Sequence, residues 1–168
     1  MTAKLDIIPI EIWKDTREPK DIYLWRGDKW RDKFALHKWD DDEEQHVLDV
    51  GDYSVWPWGC DHIFVERKEI NDYVGSITKR REQFKRMCDR AKPDAEKWLM
   101  LEGKSALSRL FNAEYRARVR EKSSRGTLIR WAKRYGFTVF AVENSIEGMD
   151  AMAWIFHDFK RRAERGGG

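Results

Sequence analysis

Cysteine is scarce in this chain: Cys60 and Cys88 are the only two in 168 residues. That excludes a disulfide framework and any CxxC zinc spacing, so both are expected to be free thiols. Histidine is scarce as well. His37, His46, His62 and His157 fall at no ligand spacing, which argues against a histidine-built metal centre. No apolar run approaches the ~20 residues a membrane helix needs. The start, MTAKLDIIPI, lacks the long apolar stretch and small-residue cleavage site of a signal peptide, so an intracellular location, cytoplasm or nucleus, is expected. Proline and glycine number 4 and 11, and no Pro/Gly/Ser-rich linker or repeat divides the chain. Residues 1–165 therefore read as a single domain, with Gly166-Gly167-Gly168 as a tail.

Charge is abundant and unevenly placed. The net charge is +3, but residues 1–78 hold 11 Lys+Arg against 18 Asp+Glu, a balance of −7. Residues 79–134 hold 18 against 7, a balance of +11. Carboxylates can hold cations and a basic surface can hold phosphates, so the pattern suits nucleic acid. A solvated basic helical face would give the same count. The acidic run Asp40-Asp41-Asp42-Glu43-Glu44 lacks the glycine and ligand spacing of a calcium loop and reads as a solvated loop.

Apolar spacing predicts the elements. Ile8, Ile10 and Ile12 alternate with other residues as a strand does, ending at Asp15-Thr16-Arg17-Glu18-Pro19. Residues 20–45, with Trp25, Trp30 and Trp39, suggest a short helix and loops. Val47–Val55 and His62–Lys68 read as strands of a hairpin around Trp56-Pro57-Trp58-Gly59. Trp56 and Trp58 read as core or lid residues there. Asn71 is expected to cap a helix carrying Tyr73, Val74 and Ile77, and Phe84, Met87, Cys88 and Ala91 mark the next. Lys97–Glu102 reads as a buried strand, Leu107, Leu110 and Phe111 as a brief helix, and Ser123 or Ser124 as the start of another that stops at Gly136. Phe137–Val142 is the fifth strand. Ser145 is expected to cap a last helix with Met149, Met152, Ala153, Phe156 and Phe159 inward. The order implies an α/β fold, a mixed five-stranded sheet flanked by helices.

On the third strand, Glu66 and Lys68 point the same way because side chains alternate faces. Asp52 lies on the partner strand, where a hairpin brings it beside Glu66. Two carboxylates facing one point repel unless a cation lies between them, and Mg²⁺ suits a few carboxylates plus waters. Lys68 would then neutralise charge on a phosphate. A Glu-x-Lys on a strand is also common as a surface salt bridge, so the spacing alone leaves both readings open.

A longer pattern is more specific. Gly51-Asp52-Tyr53, Glu66-Arg67-Lys68 and Asp72 read as GDx(n)ERKx(3)D, which resembles the signature of the XPF nuclease family within the PD-(D/E)xK superfamily. Asp15-Thr16-Arg17-Glu18 resembles that family's D-x-R-E segment. Tyr73-Val74-Gly75-Ser76-Ile77, followed by Arg80 or Arg81 and Gln83, resembles the helix after its motif. The resemblance spans roughly residues 7 to 160. It implies a restriction-endonuclease-like fold and a metal-dependent DNA endonuclease acting on branched DNA such as a flap, fork or junction. Asp52 and Glu66 would ligate Mg²⁺ or Mn²⁺, with the Arg67 carbonyl assisting and Asp15 adding charge. Lys68 would be the catalytic lysine. Arg67 and Asp72 would support the site, with Arg67 turned to the opposite face and pairing with Asp72 or Glu18.

The family's tandem helix-hairpin-helix module is not seen in this sequence. A partner subunit would then grip DNA, or Arg80, Arg81, Lys85, Arg86, Arg116, Arg118, Arg120 and Lys122 would. Arg116, Arg118 and Arg120 sit in a loop-like stretch that reads as a phosphate-binding loop or a plain surface loop. The last helix carries Trp154, Ile155, Phe156 and Phe159 on more than one face; the packing of a single domain would account for them, and the resemblance, whose members often pair through this region, implies a homodimer as the other reading. Rival readings are a non-catalytic DNA-binding scaffold subunit of the same fold, a Holliday-junction resolvase and a nickase.

Overall fold

A computed structural model describes residues 10–14, 34–36, 48–55, 57–112 and 121–166. Its strands are β1 (Ile10–Lys14), β2 (Phe34–Leu36), β3 (Tyr53–Val55), β4 (Ile63–Glu69), β5 (Glu96–Glu102) and β6 (Phe137–Val142). Its helices are α1 (Ile70–Ser76), α2 (Arg81–Arg90), α3 (Ala106–Phe111), α4 (Glu121–Tyr135) and α5 (Ser145–Gly166).

The strands form one mixed sheet in the order β2-β1-β3-β4-β5-β6. β1 runs antiparallel to β3 and β3 antiparallel to β4, so the expected hairpin is present. β4, β5 and β6 are mutually parallel. β4, like β1, is thus a strand at which the sheet changes between antiparallel and parallel pairing. Parallel neighbours need long crossovers, and α1–α2 and α3–α4 supply them.

Each sheet face has its own core. Phe64, Leu99, Leu101 and Phe137 pack with Tyr73 and Val74 of α1, Phe84 and Cys88 of α2, Leu110 of α3 and Leu128 of α4. Val65, Met100 and Val142 pack on the other face with Met152, Phe156 and Phe159 of α5. Burial on both sides explains why β4 opens as an unbroken apolar run, with Ile63, Phe64 and Val65 all fully buried.

Several expectations need correction. The sheet has six strands rather than five, because Phe34–Leu36 pairs in parallel with β1 inside a stretch expected to hold only a short helix and loops. The strand expected over Val47–Val55 is reduced to Tyr53–Val55, since Asp49 to Asp52 bend and Gly51 takes a positive φ of 76°. α1 begins at Ile70, one residue before its expected cap Asn71, so the buried Ile70 is the first helical residue. α4 begins at Glu121, ahead of Ser123 and Ser124. At α5 the cap is Asn144, whose side-chain oxygen accepts from the Ile146 and Glu147 amides, and Ser145 already lies in the helix. Gly136 does end α4, at φ 73°. Cys60 and Cys88 are both free thiols. Trp58, at the hairpin tip, packs edge-on against Phe159 at 5.7 Å. Trp25, Trp30, Trp39, Trp56, Asp15 and the acidic run at 40–44 lie outside the described residues.

Candidate active site

The candidate site is built on the outer half of β4. Glu66 and Lys68 share the sheet face that α1 and α2 cover, because Phe64 of the same alternation packs into that core. Asp52 reaches them from the turn before β3. Gly51 makes that approach possible: a Cβ there would lie 2.5 Å from Phe64 Cδ2, so only a glycine lets the backbone cross the buried ring at this positive φ. The Asp52 amide then donates to the Val65 carbonyl at 2.9 Å. This locks the turn onto β4.

The groups meet closely. Lys68 Nζ lies 2.5 Å from Glu66 Oε1, 3.7 Å from Asp52 Oδ2 and 3.1 Å from the Arg67 carbonyl oxygen to which it donates. The Arg67 amide donates to Asp52 Oδ2 at 2.7 Å. Glu66 is 6% exposed, so its carboxylate sits in a weakly hydrated place where a nearby cation counts for more. Three oxygens, from two carboxylates and one carbonyl, thus gather around the Lys68 ammonium. That hard, all-oxygen donor set fits Mg²⁺ or Mn²⁺, which take one or two carboxylates and keep several waters. Among the described residues no group of three or more His, Cys, Asp or Glu side chains converges on one point.

The site opens into a cleft of about 370 Å³. Asp52, Glu66 and Lys68 line it together with Ser76, Arg80, Gln83, Phe84, Arg86, Met87 and Arg90, among others. The rim is therefore basic along α2 and the floor acidic. Phe84 is backed by Trp131 of α4, stacked at 4.9 Å, which stiffens the apolar wall. Cys88, behind that wall, is pushed up to about 12 by burial first and the Glu66 carboxylate second.

The ERCC4 domain family matches residues 15–153. The chain belongs to the ERCC4 domain family. Two solved structures resemble this ERCC4 domain: XPF from Aeropyrum pernix (TM-score 0.57, 19% identity, 86% of this chain and 64% of that one) and the same protein in complex with DNA (TM-score 0.56, 19% identity, 94% and 66%). The chain therefore spans about two thirds of the length of those structures, and at this identity the likeness speaks for the fold. No curated protein matches the chain.

The remaining residues of the ERCC4 motif separate by face. Arg67 does turn to the side of the sheet away from the cleft, where it pairs across to β5 and not with Asp72, while Glu18 lies outside the described residues. Its Nε donates to Glu102 Oε2 of β5 at 2.7 Å. Asp72 is 62% exposed and pairs with Arg80 at 3.3 Å. It borders the cleft only through that arginine. Of the four basic residues expected to grip DNA around α2, Arg80 and Arg86 line the cleft, while Arg81 and Lys85 do not. Arg90 and Gln83 do, and sequence reasoning had not counted them as contact residues. Their spacing offered a signal, since 80, 83, 84, 87 and 90 fall on one helical face. Asp15, Arg116, Arg118 and Arg120 lie outside the described residues, as does the Lys122 side chain.

Proposed function

We propose that this ERCC4 domain is a divalent-metal-dependent DNA endonuclease that hydrolyses phosphodiester bonds in branched DNA. One observation carries the reading: Asp52, Glu66, the Arg67 carbonyl and Lys68 Nζ meet within about one side chain's reach, at the floor of a cleft whose rim is basic. An acidic floor under a cationic rim is what a phosphate diester needs if it is to be held and cut.

Bound between Asp52 and Glu66, a divalent cation would supply Lewis acidity toward a phosphate oxygen and acidify a water. The chain's own groups do the rest. The two carboxylates hold and orient the cation, and the Arg67 amide fixes the rotamer of Asp52. Lys68 faces the same point and stabilises negative charge gathering on the phosphate oxygens. Arg80, Arg86 and Arg90 neutralise the neighbouring phosphates and set the strand's path across the floor. Trp154 stands 62% exposed on α5, and pairing of two copies through that helix belongs to the same reading. A monomer by light scattering at high concentration would remove that part of it.

The test is cleavage of a labelled panel of flap, fork, nicked, four-way and linear DNAs with Mg²⁺ or Mn²⁺. Asp52→Ala and Glu66→Ala should each lower cleavage by at least about a hundredfold while melting temperature and circular dichroism stay near those of the parent chain. Full activity in either variant would sink the assignment. Activity on linear duplex equal to that on the branched forms would sink the substrate class alone.

A further inference from the structure

We infer that Glu102 is a positioning residue for the site, acting through Arg67 from the opposite face of the sheet. The inference rests on the metal-dependent reading above and extends it to a residue that touches neither cleft nor substrate.

The argument turns on what Arg67 gives the site. Its side chain gives nothing there directly, but its backbone contributes twice. The Arg67 amide donates to Asp52 Oδ2 at 2.7 Å, and the Arg67 carbonyl accepts from Lys68 Nζ at 3.1 Å. These two groups belong to different peptide planes, one before and one after the Arg67 Cα. Each plane is rigid, so their relative setting depends on the two dihedrals at that single atom. Whatever fixes the Arg67 Cα therefore fixes both the direction of the Asp52 carboxylate and the direction of the carbonyl oxygen.

The ladder and the side chain both hold that atom. In the ladder with β5, Arg67 is opposite Met100 and Glu69 is opposite Glu102. Glu69 and Glu102 end their strands, so the ladder stops just past the site. Arg67 Nε and Glu102 Oε2 are 2.7 Å apart, and the two side chains are only 14% and 13% exposed. At that burial the ion pair is weakly screened and poorly replaced by water, so removing Glu102 takes away a contact that solvent does not restore and makes the Arg67 side chain readjust. That readjustment is passed to the Cα from which the side chain springs. Gly103 follows Glu102 at φ 138° and its amide donates to the Val142 carbonyl at 3.0 Å, which anchors the glutamate from behind.

Glu102→Ala and Glu102→Gln are compared with the parent chain by three measurements: melting temperature, calorimetric binding of Mn²⁺ without DNA, and the Mn²⁺ dependence of cleavage. Groups that orient metal ligands from outside the first layer typically change metal affinity or activity by about 10- to 100-fold. Glu102→Ala should weaken Mn²⁺ binding by about tenfold. The loss in cleavage should be recovered in part at high Mn²⁺, which a merely structural defect would not allow. Glu102→Gln keeps an acceptor oxygen and should fall between the two. In the Arg67→Ala background, Glu102→Ala should add little, because both act through one linkage.

Parent-like Mn²⁺ affinity and cleavage in folded Glu102→Ala would overturn the inference, and so would full additivity with Arg67→Ala. If the alanine variant does not fold, the glutamine variant decides: parent-like values overturn the inference and weakened binding supports it. A parent chain that neither binds Mn²⁺ nor cuts DNA would fail the metal-dependent reading itself, a result separate from any difference among the variants.

Discussion

Gly51 shows how much of the site rests on a residue with no functional group. Its φ of 76° and the 2.5 Å approach that a Cβ would make to Phe64 act together. Phe64 is fully buried and has no room to give. Gly51→Ala should cost about 2–4 kcal/mol, from left-handed strain plus overpacking, and should also displace Asp52. Denaturant unfolding checks the first effect, and Mn²⁺ binding at a temperature where the variant remains folded checks the second. Cys88 offers a pH test. Its thiol is raised from the ordinary 9.0 to about 12, so the folded chain holds its proton longer than the unfolded one. The stability this gives is complete below pH 9 and drains as pH rises toward 12. The stability difference between the parent and Cys88→Ala should be flat at neutral pH and shrink above 9, as unfolding curves at several pH values would reveal. The motif residues themselves were legible because chemistry restricts them: Asp52, Glu66 and Lys68 are brought together as the hairpin reading requires. The pairing of Arg67 with Glu102 was not. Glu102 is 35 positions away, and which glutamate meets which arginine across two parallel strands depends on a register the sequence does not display.

Among the elements, β5 and β6 could be read nearly residue for residue, because their apolar patterns are bounded by turn residues on both sides. β2 could not: three residues are too few for a period to emerge, and the strand exists only because β1 offers it an edge. The start of α5 teaches a related lesson. Asn144 and Ser145 both suit a cap, and only geometry chooses between them. Asn144 accepts from two amides at 2.9 and 3.1 Å. Asn144→Ala should therefore cost about 1 kcal/mol, and Ser145→Ala a few tenths at most. Thermal melts of the two variants would separate these outcomes, and a larger loss at Ser145 would restore the sequence-based placement.

At the scale of the molecule, the described residues divide charge around the cleft, with Asp52 and Glu66 on its floor and the arginines of α2 along its rim. Counterion release then makes affinity fall with salt in proportion to the phosphates contacted. Replacing Arg86 or Arg90, which face the cleft, should reduce the slope of log affinity against log salt by about one each. Replacing Arg81, which does not, should leave the slope nearly unchanged. Equal slopes for all three variants would show that the binding track does not follow the cleft. Fluorescence anisotropy with a fork DNA in Ca²⁺ gives the measurement without cutting.

The place of β4 in the sheet has one more consequence. It pairs with β5 along its whole length and with β3 at Val65, and its first half lies between two cores. Glu66 therefore rides on a stretch that has no private way to melt. Loss of its geometry requires the collapse of both neighbouring strands, so warming should switch the chain off in one step with its cooperative denaturation, with no earlier inactive but still folded stage.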